Sequence, residues 1–184
     1  MEFSYWLTTI VFLPLAGALV IALLIKGDRR VRYFRHDVRR YASAARNTGI
    51  EKARGDYIAF LDDDDEWLPA KLSKQVRLIE ESPPEVGLVY CWMDHFDGQG
   101  RLVSQTHPTL RGRVFDQVLD RQRLGGCPTL LVRRPVFERV GGFDEELPRG
   151  NDGDFIRRVC QRYRVDVVPE VLVKVHLGHG QQRI

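Results

Sequence analysis

The run from Gly55 to Pro69, Gly-Asp-Tyr-Ile-Ala-Phe-Leu-Asp-Asp-Asp-Asp-Glu-Trp-Leu-Pro, constrains the fold more than any other part of the chain. Gly55-Asp56 is a turn pair, and Tyr57 to Leu61 follow with no polar interruption. A run so short and so apolar reads as a strand buried on both faces. Asp62, Asp63, Asp64 and Asp65 come directly behind it. In open α/β sheets ligands bind beyond the carboxyl ends of the strands, and the acids fall at that end. Adjacent carboxylates repel one another. A hard divalent cation with oxygen ligands, carrying a phosphate ester, would neutralise them. The competing reading is a solvated acidic turn that helps to start the helix after Pro69.

The chain has 184 residues and a net charge of +3, enough for one domain with a modest core. Cys91, Cys127 and Cys160 are odd in number and far apart. That spacing argues against a zinc site or a disulfide framework and for buried thiols. Residues 3–25 carry no charge, a length that spans a hydrocarbon core of about 30 Å as a helix. A membrane helix over 1–26 is expected, with Tyr5 and Trp6 at one interface. A signal peptide is the rival, but its positive n-region is replaced here by Glu2. Positions 26, 29, 30, 32, 35, 39 and 40 are basic, against acids at 28 and 37. By the positive-inside rule, residues 27–42 form a basic juxtamembrane linker and the rest is cytoplasmic behind a single pass. No nucleic-acid motif follows the cluster, so anionic headgroups are its simpler partner.

From Tyr41 the pattern is that of an α/β domain. Residues 44–53 are helix-compatible, with a break at Asn47-Thr-Gly49. Pro69 suits a helix start, and Leu72, Val76 and Ile79 mark one face of that helix up to Ser82-Pro-Pro84. Residues 86–90 read as a second buried strand extending toward Phe96. Asp97-Gly98 is a hairpin signal, with 101–104 as the return strand. A short helix is expected over 114–119, an apolar run over 129–132, and a helical turn over 135–140 stopped by Gly141. Phe155, Ile156, Val159, Cys160 and Tyr163 stripe a last helix. Strands at 165–168 and 171–175 are separated by Pro169.

Ala45-Arg-Asn-Thr-Gly49, then Ala53-Arg-Gly-Asp-Tyr-Ile-Ala-Phe-Leu-Asp-Asp-Asp-Asp-Glu-Trp-Leu-Pro69 and Lys71-Leu72, resemble the central block of family 2 glycosyltransferases, which have a GT-A fold. Arg134-Pro-Val-Phe-Glu-Arg-Val-Gly-Gly-Phe-Asp-Glu-Glu-Leu147 and Asn151-Asp-Gly-Asp-Phe-Ile-Arg-Arg158 resemble the acceptor-side segment of the same family. The resemblance runs from about Arg40 to His179. It implies an α/β, Rossmann-like mixed sheet over 43–184. It also implies transfer of a sugar from a nucleotide-sugar donor to an acceptor hydroxyl, with Mg²⁺ or Mn²⁺ at an Asp-x-Asp motif.

That motif is Asp62-Asp63-Asp64, with Asp65 adjoining. A cation held by Asp64, assisted by Asp62 or Asp65, would offset the charge growing on a diphosphate leaving group. The acceptor needs a base, and Asp152 occupies the position the resemblance gives to it. Asp152 could instead cap the helix together with Asn151, and Asp154 is the alternative base. His176 stands where relatives bring a histidine to the metal or diphosphate, with His179 competing for that place. Arg46, Asn47, Asp62 and Asp63 are the donor-binding candidates, and Asn47 could equally cap. Trp67 would wall the site.

The chain also departs from the family. Relatives begin with a βαβ unit that grips the nucleotide base, and such a unit takes about 30 residues. The segment 26–43 offers 18. Residues 1–26 faintly resemble the first helix of a membrane subunit of proton-pumping NADH–quinone oxidoreductases, through Trp6-Leu-Thr-Thr-Ile10 and Leu13-Pro-Leu-Ala-Gly-Ala18. A truncated GT-A domain behind one transmembrane helix is therefore expected. Without a neighbour, the 57–61 strand would expose one edge, inviting self-association or a partner chain. A catalytically inactive, membrane-tethered binding module is the alternative function. A haloacid-dehalogenase-type phosphatase fits less well, because Asp65-Glu66 follow the motif. The chain does not end in Gln-x-x-Arg-Trp, which argues against a processive polysaccharide synthase.

Overall fold

The computed structural model describes residues 7–13, 18–25, 28–38, 40–119 and 124–177. In chain order they form β1 (Leu7–Leu13), β2 (Ala18–Ile25), β3 (Asp28–Arg35), α1 (Ala42–Lys52), β4 (Tyr57–Asp62), β5 (Asp65–Trp67), α2 (Lys71–Glu81), β6 (Val86–Phe96) and β7 (Leu102–Thr106). Then come α3 (Phe115–Leu119), a 3-10 turn (Cys127–Thr129), β8 (Leu131–Arg133), α4 (Arg134–Val140), α5 (Asn151–Arg162) and β9 (Arg164–His176). Among the described residues the strands make one mixed sheet in the order β3-β2-β1-β4-β8-β6-β9-β5, with β7 beside β6.

The apolar amino-terminal stretch corrects the expectation of a helix over 1–26. Its described residues are the strands β1 and β2, and Asp28–Arg35, expected as a linker, is β3. Among the described residues no helix is long and apolar enough to cross a membrane. Uniform hydrophobicity does not distinguish a membrane helix from buried strands. The β-branched Thr8, Thr9, Ile10 and Val11 favour strand, and Pro14 and Gly17 divide the run by sequence alone.

β1 also overturns the expected open edge. It runs parallel to β4, with Leu7 opposite Tyr57 and Phe12 opposite Asp62. On its other side β4 pairs antiparallel with β8, through Tyr57–Arg133, Ile58–Val132 and Ala59–Leu131. The buried strand therefore has ladder partners on both edges, as its backbone groups require. β1, β2 and β3 reach this position as an antiparallel meander, not as a βαβ unit.

The sheet has a core on each face. Ile58, Phe60, Leu88, Tyr90 and Val132 face α4 and α5, where Phe137, Phe155, Ile156 and Val159 are buried. Tyr57, Ala59, Val89, Cys91 and Val173 face Ile79 of α2. The alternation along β4 is the two-residue period of a strand covered on both sides. Phe155 stacks on Phe137 at 5.2 Å between ring centroids, and Phe143 meets Phe60 edge-on at 5.3 Å. The three thiols are free and buried, as expected.

Two local expectations fail for tertiary reasons. α1 continues through Asn47-Thr-Gly49, because Ala44, Ala45 and Gly49 are buried where the helix lies against the sheet. β9 continues through Pro169. Its register with β6 jumps from Cys91–Val168 to Trp92–Val171, so Pro169 sits at a bulge, where its missing N–H breaks no ladder bond.

Candidate active site

β4 ends at Asp62, Asp63 and Asp64 make an exposed turn, and the chain returns as β5 antiparallel to β9. A single residue of α1 links this turn to the far half of the sequence. Arg46 is 5% exposed. Its Nη2 donates to Asp62 Oδ1 at 2.9 Å and Oδ2 at 3.3 Å. Its Nη1 donates to Asp152 Oδ1 at 2.9 Å and Asn151 Oδ1 at 3.3 Å. The guanidinium also packs over the Phe143 ring at 5.4 Å. Burial pulls its pKa down, but Cys127, Asp62 and Asp152 more than offset this and leave it raised. A planar fork suits two acids in two directions, which a lysine could not match.

Asp152 is in the first turn of α5. The helix is entered through Gly150 at φ +75°, which is its N-cap, so Asn151 and Asp152 are its first two helical residues and neither takes the cap position. Asp152 Oδ2 accepts from the Cys127 N–H at 3.1 Å, and its Oδ1 accepts from Cys127 Sγ at 3.1 Å. Burial, and then the neighbouring acids against the pull of Arg46, push the Cys127 thiol well up. It stays protonated and can donate. Asn151 Nδ2 donates to Ser43 Oγ at 2.9 Å, tying α5 to α1 a second time.

The other candidates fall as follows. Asn47 neither caps nor turns to the acidic cluster. Its Nδ2 donates to Phe143 O at 2.8 Å and Glu145 Oε1 at 3.0 Å, and its Oδ1 accepts from Phe143 N at 2.7 Å. It pins the loop after α4. Asp154 pairs with Arg158 at 2.7 Å, and Arg158 also donates to Val140 O and Gly142 O. His176 ends β9 beside β5, with Nε2 3.8 Å from Glu66 Oε2. β9 pairs there with β5, which leaves the acidic turn, and the acidic neighbour of His176 is Glu66. His179 lies outside the described residues. Trp67 Nε1 donates to Pro128 O at 2.8 Å, and Lys71 Nζ sits 4.1 Å from the centre of the Trp67 ring.

The donor set of the turn can be tested against a cation. Burial, and then Asp64 and Asp62, push the Asp63 carboxyl above its ordinary value, a crowding that a cation relieves. Both oxygens of Asp62 accept from Arg46. Among the described residues no group of three or more His, Cys, Asp or Glu gathers closely enough to hold an ion alone. Asp63 and Asp64 are both exposed, and Asp65 opens β5 directly behind them. One or two carboxylates completed by phosphate oxygens and water is a usual arrangement for Mg²⁺.

Sequence reasoning missed Cys127, which it read only as a buried thiol. The one signal was Gly125-Gly126 before it and Pro128 after it, the composition of a turn.

The family model described as glycosyl transferase family 2 matches residues 18–141. The chain belongs to this family. The match begins at Ala18, inside the stretch expected to be a membrane helix, and takes in β2 and β3. An uncharacterized glycosyltransferase of Methanocaldococcus jannaschii is 28% identical over 152 residues, covering 82% of this chain and 52% of that protein. A putative colanic acid biosynthesis glycosyl transferase of Escherichia coli is 28% identical over 165 residues, covering 85% of this chain and 56% of that one. The chain thus spans about half the length of these relatives. Staphylococcus aureus TarS in complex with UDP-GlcNAc superposes with a TM-score of 0.60 at 18% identity, over 79% of this chain and 42% of TarS. The fold is that of a GT-A glycosyltransferase.

Proposed function

We propose that the chain carries the site of a glycosyltransferase that moves a sugar from a nucleotide-sugar donor to an acceptor hydroxyl. The observation that carries this is the Arg46 bridge. The carboxylate at the end of β4 and the carboxylate opening α5 pair with one guanidinium, which supports reading the two motifs as parts of one site. In the reaction the acceptor oxygen bonds to the anomeric carbon, the bond from that carbon to the diphosphate breaks, and the nucleoside diphosphate departs. Asp152 takes the proton of the acceptor hydroxyl. Arg46 and the Cys127 N–H hold its carboxylate in one orientation. Asp64, with Asp63, would hold Mg²⁺ or Mn²⁺, which when bound supplies positive charge against the diphosphate.

The alternative, an inactive binding module, is favoured by the antiparallel meander that stands where a βαβ base-binding unit is expected. One experiment separates the two. The full chain is assayed with Mn²⁺ for release of nucleoside diphosphate from a panel of nucleotide sugars, beginning with UDP-GlcNAc because TarS was solved with it. Turnover reduced about 100-fold or more by Asp152→Asn supports the enzyme reading. Turnover that ignores Asp152→Asn refutes Asp152 as base, and an inert parent supports the binding module. Calorimetry with Mn²⁺ tests the cation site, and equal heats for parent and Asp64→Ala would remove it.

A further inference from the structure

We propose that Trp67 and Gln75 are positioning residues for Asp152, acting through the turn Gly125–Thr129. The proposal rests on the reading of Asp152 as the base.

Among the described residues Asp152 has three donors, and two of them, the N–H and the thiol, belong to Cys127. Where that carboxylate points therefore depends on where the turn sits. The turn is wound tightly on itself. Thr129 N and Thr129 Oγ1 both donate to Gly126 O, at 3.0 and 2.8 Å. Gly125 has φ +121°, and a Cβ there would lie 2.6 Å from Thr129 Oγ1, so only glycine lets Thr129 fold back this way.

The carbonyls of the turn are held from the opposite side. Pro128 O accepts from Trp67 Nε1 at 2.8 Å, and Thr129 O accepts from Gln75 Nε2 at 2.8 Å. Gln75 is fully buried and is itself fixed. Its Nε2 also donates to Val89 O at 3.2 Å, and its Oε1 accepts from Lys71 Nζ at 2.7 Å. Cys91 Sγ adds a longer contact to Thr129 O at 3.6 Å, so among the described residues the turn is held by Trp67, Gln75 and, more weakly, the Cys91 thiol through its carbonyls, and by the carboxylate through Cys127. Losing either brace lets it tilt about its remaining bonds, and the Cys127 donors move with it. A misplacement near 1 Å costs about 100-fold in rate.

The brace also joins the two halves of the site. Trp67 is in β5, the strand that leaves the acidic turn, and Asp65 opens that same strand. Whatever displaces β5 pulls on Pro128 and, through Cys127, on Asp152.

The test uses the full chain with Trp67→Phe, which keeps an aromatic ring, and Gln75→Met, which keeps the length of the side chain. Cys127→Ser, which keeps the main-chain donor, is a third variant. Two readouts are taken. The first is the pH dependence of the Cys127 amide proton by NMR, which follows the charge of the carboxylate it bonds and needs no substrate. Among the described residues Arg46 of α1, Asp62 of β4 and the Cys127 thiol are the charged or titratable groups coupled to Asp152, and Asp152→Asn fixes the baseline. The second is kcat and KM for the nucleotide sugar that the parent turns over. Trp67→Phe and Gln75→Met should each reduce the amplitude of the Cys127 titration by about half or more, while Cys127→Ser keeps the titration at position 127. Both brace variants should also lower kcat about 10- to 100-fold with little change in KM. A parental titration in both overturns the proposal, whether kcat is parental or reduced, because the effect would then not pass through the turn. If the parent lacks turnover, or Asp152→Asn retains it, the base reading fails and the NMR titration still decides the brace.

Discussion

Lys71 opens α2 with its side chain fully buried; among the described residues its ammonium donates to Gln75 and pairs with no carboxylate. Burial pushes its pKa from 10.5 down to about 8, with Cys91 opposing weakly. The folded state thus holds the ammonium at a cost near neutral pH, up to about 3 kcal/mol for a shift of this size. Lys71→Met removes that cost. It also leaves Gln75 Oε1 unpaired, about 1–3 kcal/mol, and gives up the contact with the Trp67 face, about 1–2 kcal/mol. At pH 7 these nearly cancel, so the absolute change is a poor test and the pH dependence is the sharp one. Between pH 8 and 10.5 the unfolded parent binds more protons at this position than the folded parent, so folding stability gains with rising pH there. By pH 9.5 the parent should have regained about 2 kcal/mol relative to Lys71→Met. Cys91, pushed up to about 11 by burial, acts in the opposite sense, but it does so in both proteins and largely drops out of the difference. Urea unfolding of both at pH 7.0 and 9.5 measures it. A variant-minus-parent difference that is the same at both pH values, or that moves in favour of the variant at high pH, refutes the argument.

Arg46→Met should destabilise the fold by about 2–3 kcal/mol in urea unfolding. It takes the cationic partner from two carboxylates at once, but both are about a quarter exposed and Asp152 keeps its donors from Cys127, which softens the penalty of a fully buried pair. Arg46→Lys should recover only part of this, since one ammonium lacks the two-directional fork. Gly142→Ala places a Cβ 2.2 Å from Asn47 Oδ1 and should break both bonds between Asn47 and Phe143, at a cost of about 2–3 kcal/mol; an unchanged urea midpoint would contradict it. Phe155→Ala opens the stack with Phe137 and Phe143 and should cost about 3–5 kcal/mol, read in the same way.

The sequence by itself determined whatever one short window could encode. Tyr57–Leu61 and the acids behind it predict a buried strand ending in a site, and β4 is that strand with one residue more. Leu72, Val76 and Ile79 mark α2, the stripe from Phe155 to Cys160 marks α5, and Gly141 stops α4 at φ +78°. In each of these a local period or a single backbone requirement decides the outcome. The tertiary structure decided what depends on a partner. An uncharged run of 23 residues, 3–25, carries no period to say whether lipid or a sheet will cover it, and the pairing of Leu7–Leu13 with β4, and of Ala18–Ile25 with β1 and β3, settles its described residues as strands. Pro169 reads as a strand end until β6 accommodates it in a bulge, and Asn47-Thr-Gly49 reads as a break until burial against the sheet outweighs propensity. Asp62 and Asp152 could each be named as candidates. That one guanidinium joins them, 16 residues from the first and 106 from the second, and that Cys127 holds the second, are facts of chain crossing. Side chains brought together across such separations leave no trace in the local pattern of either segment, because contact energy depends on distance in space and not on position in the chain.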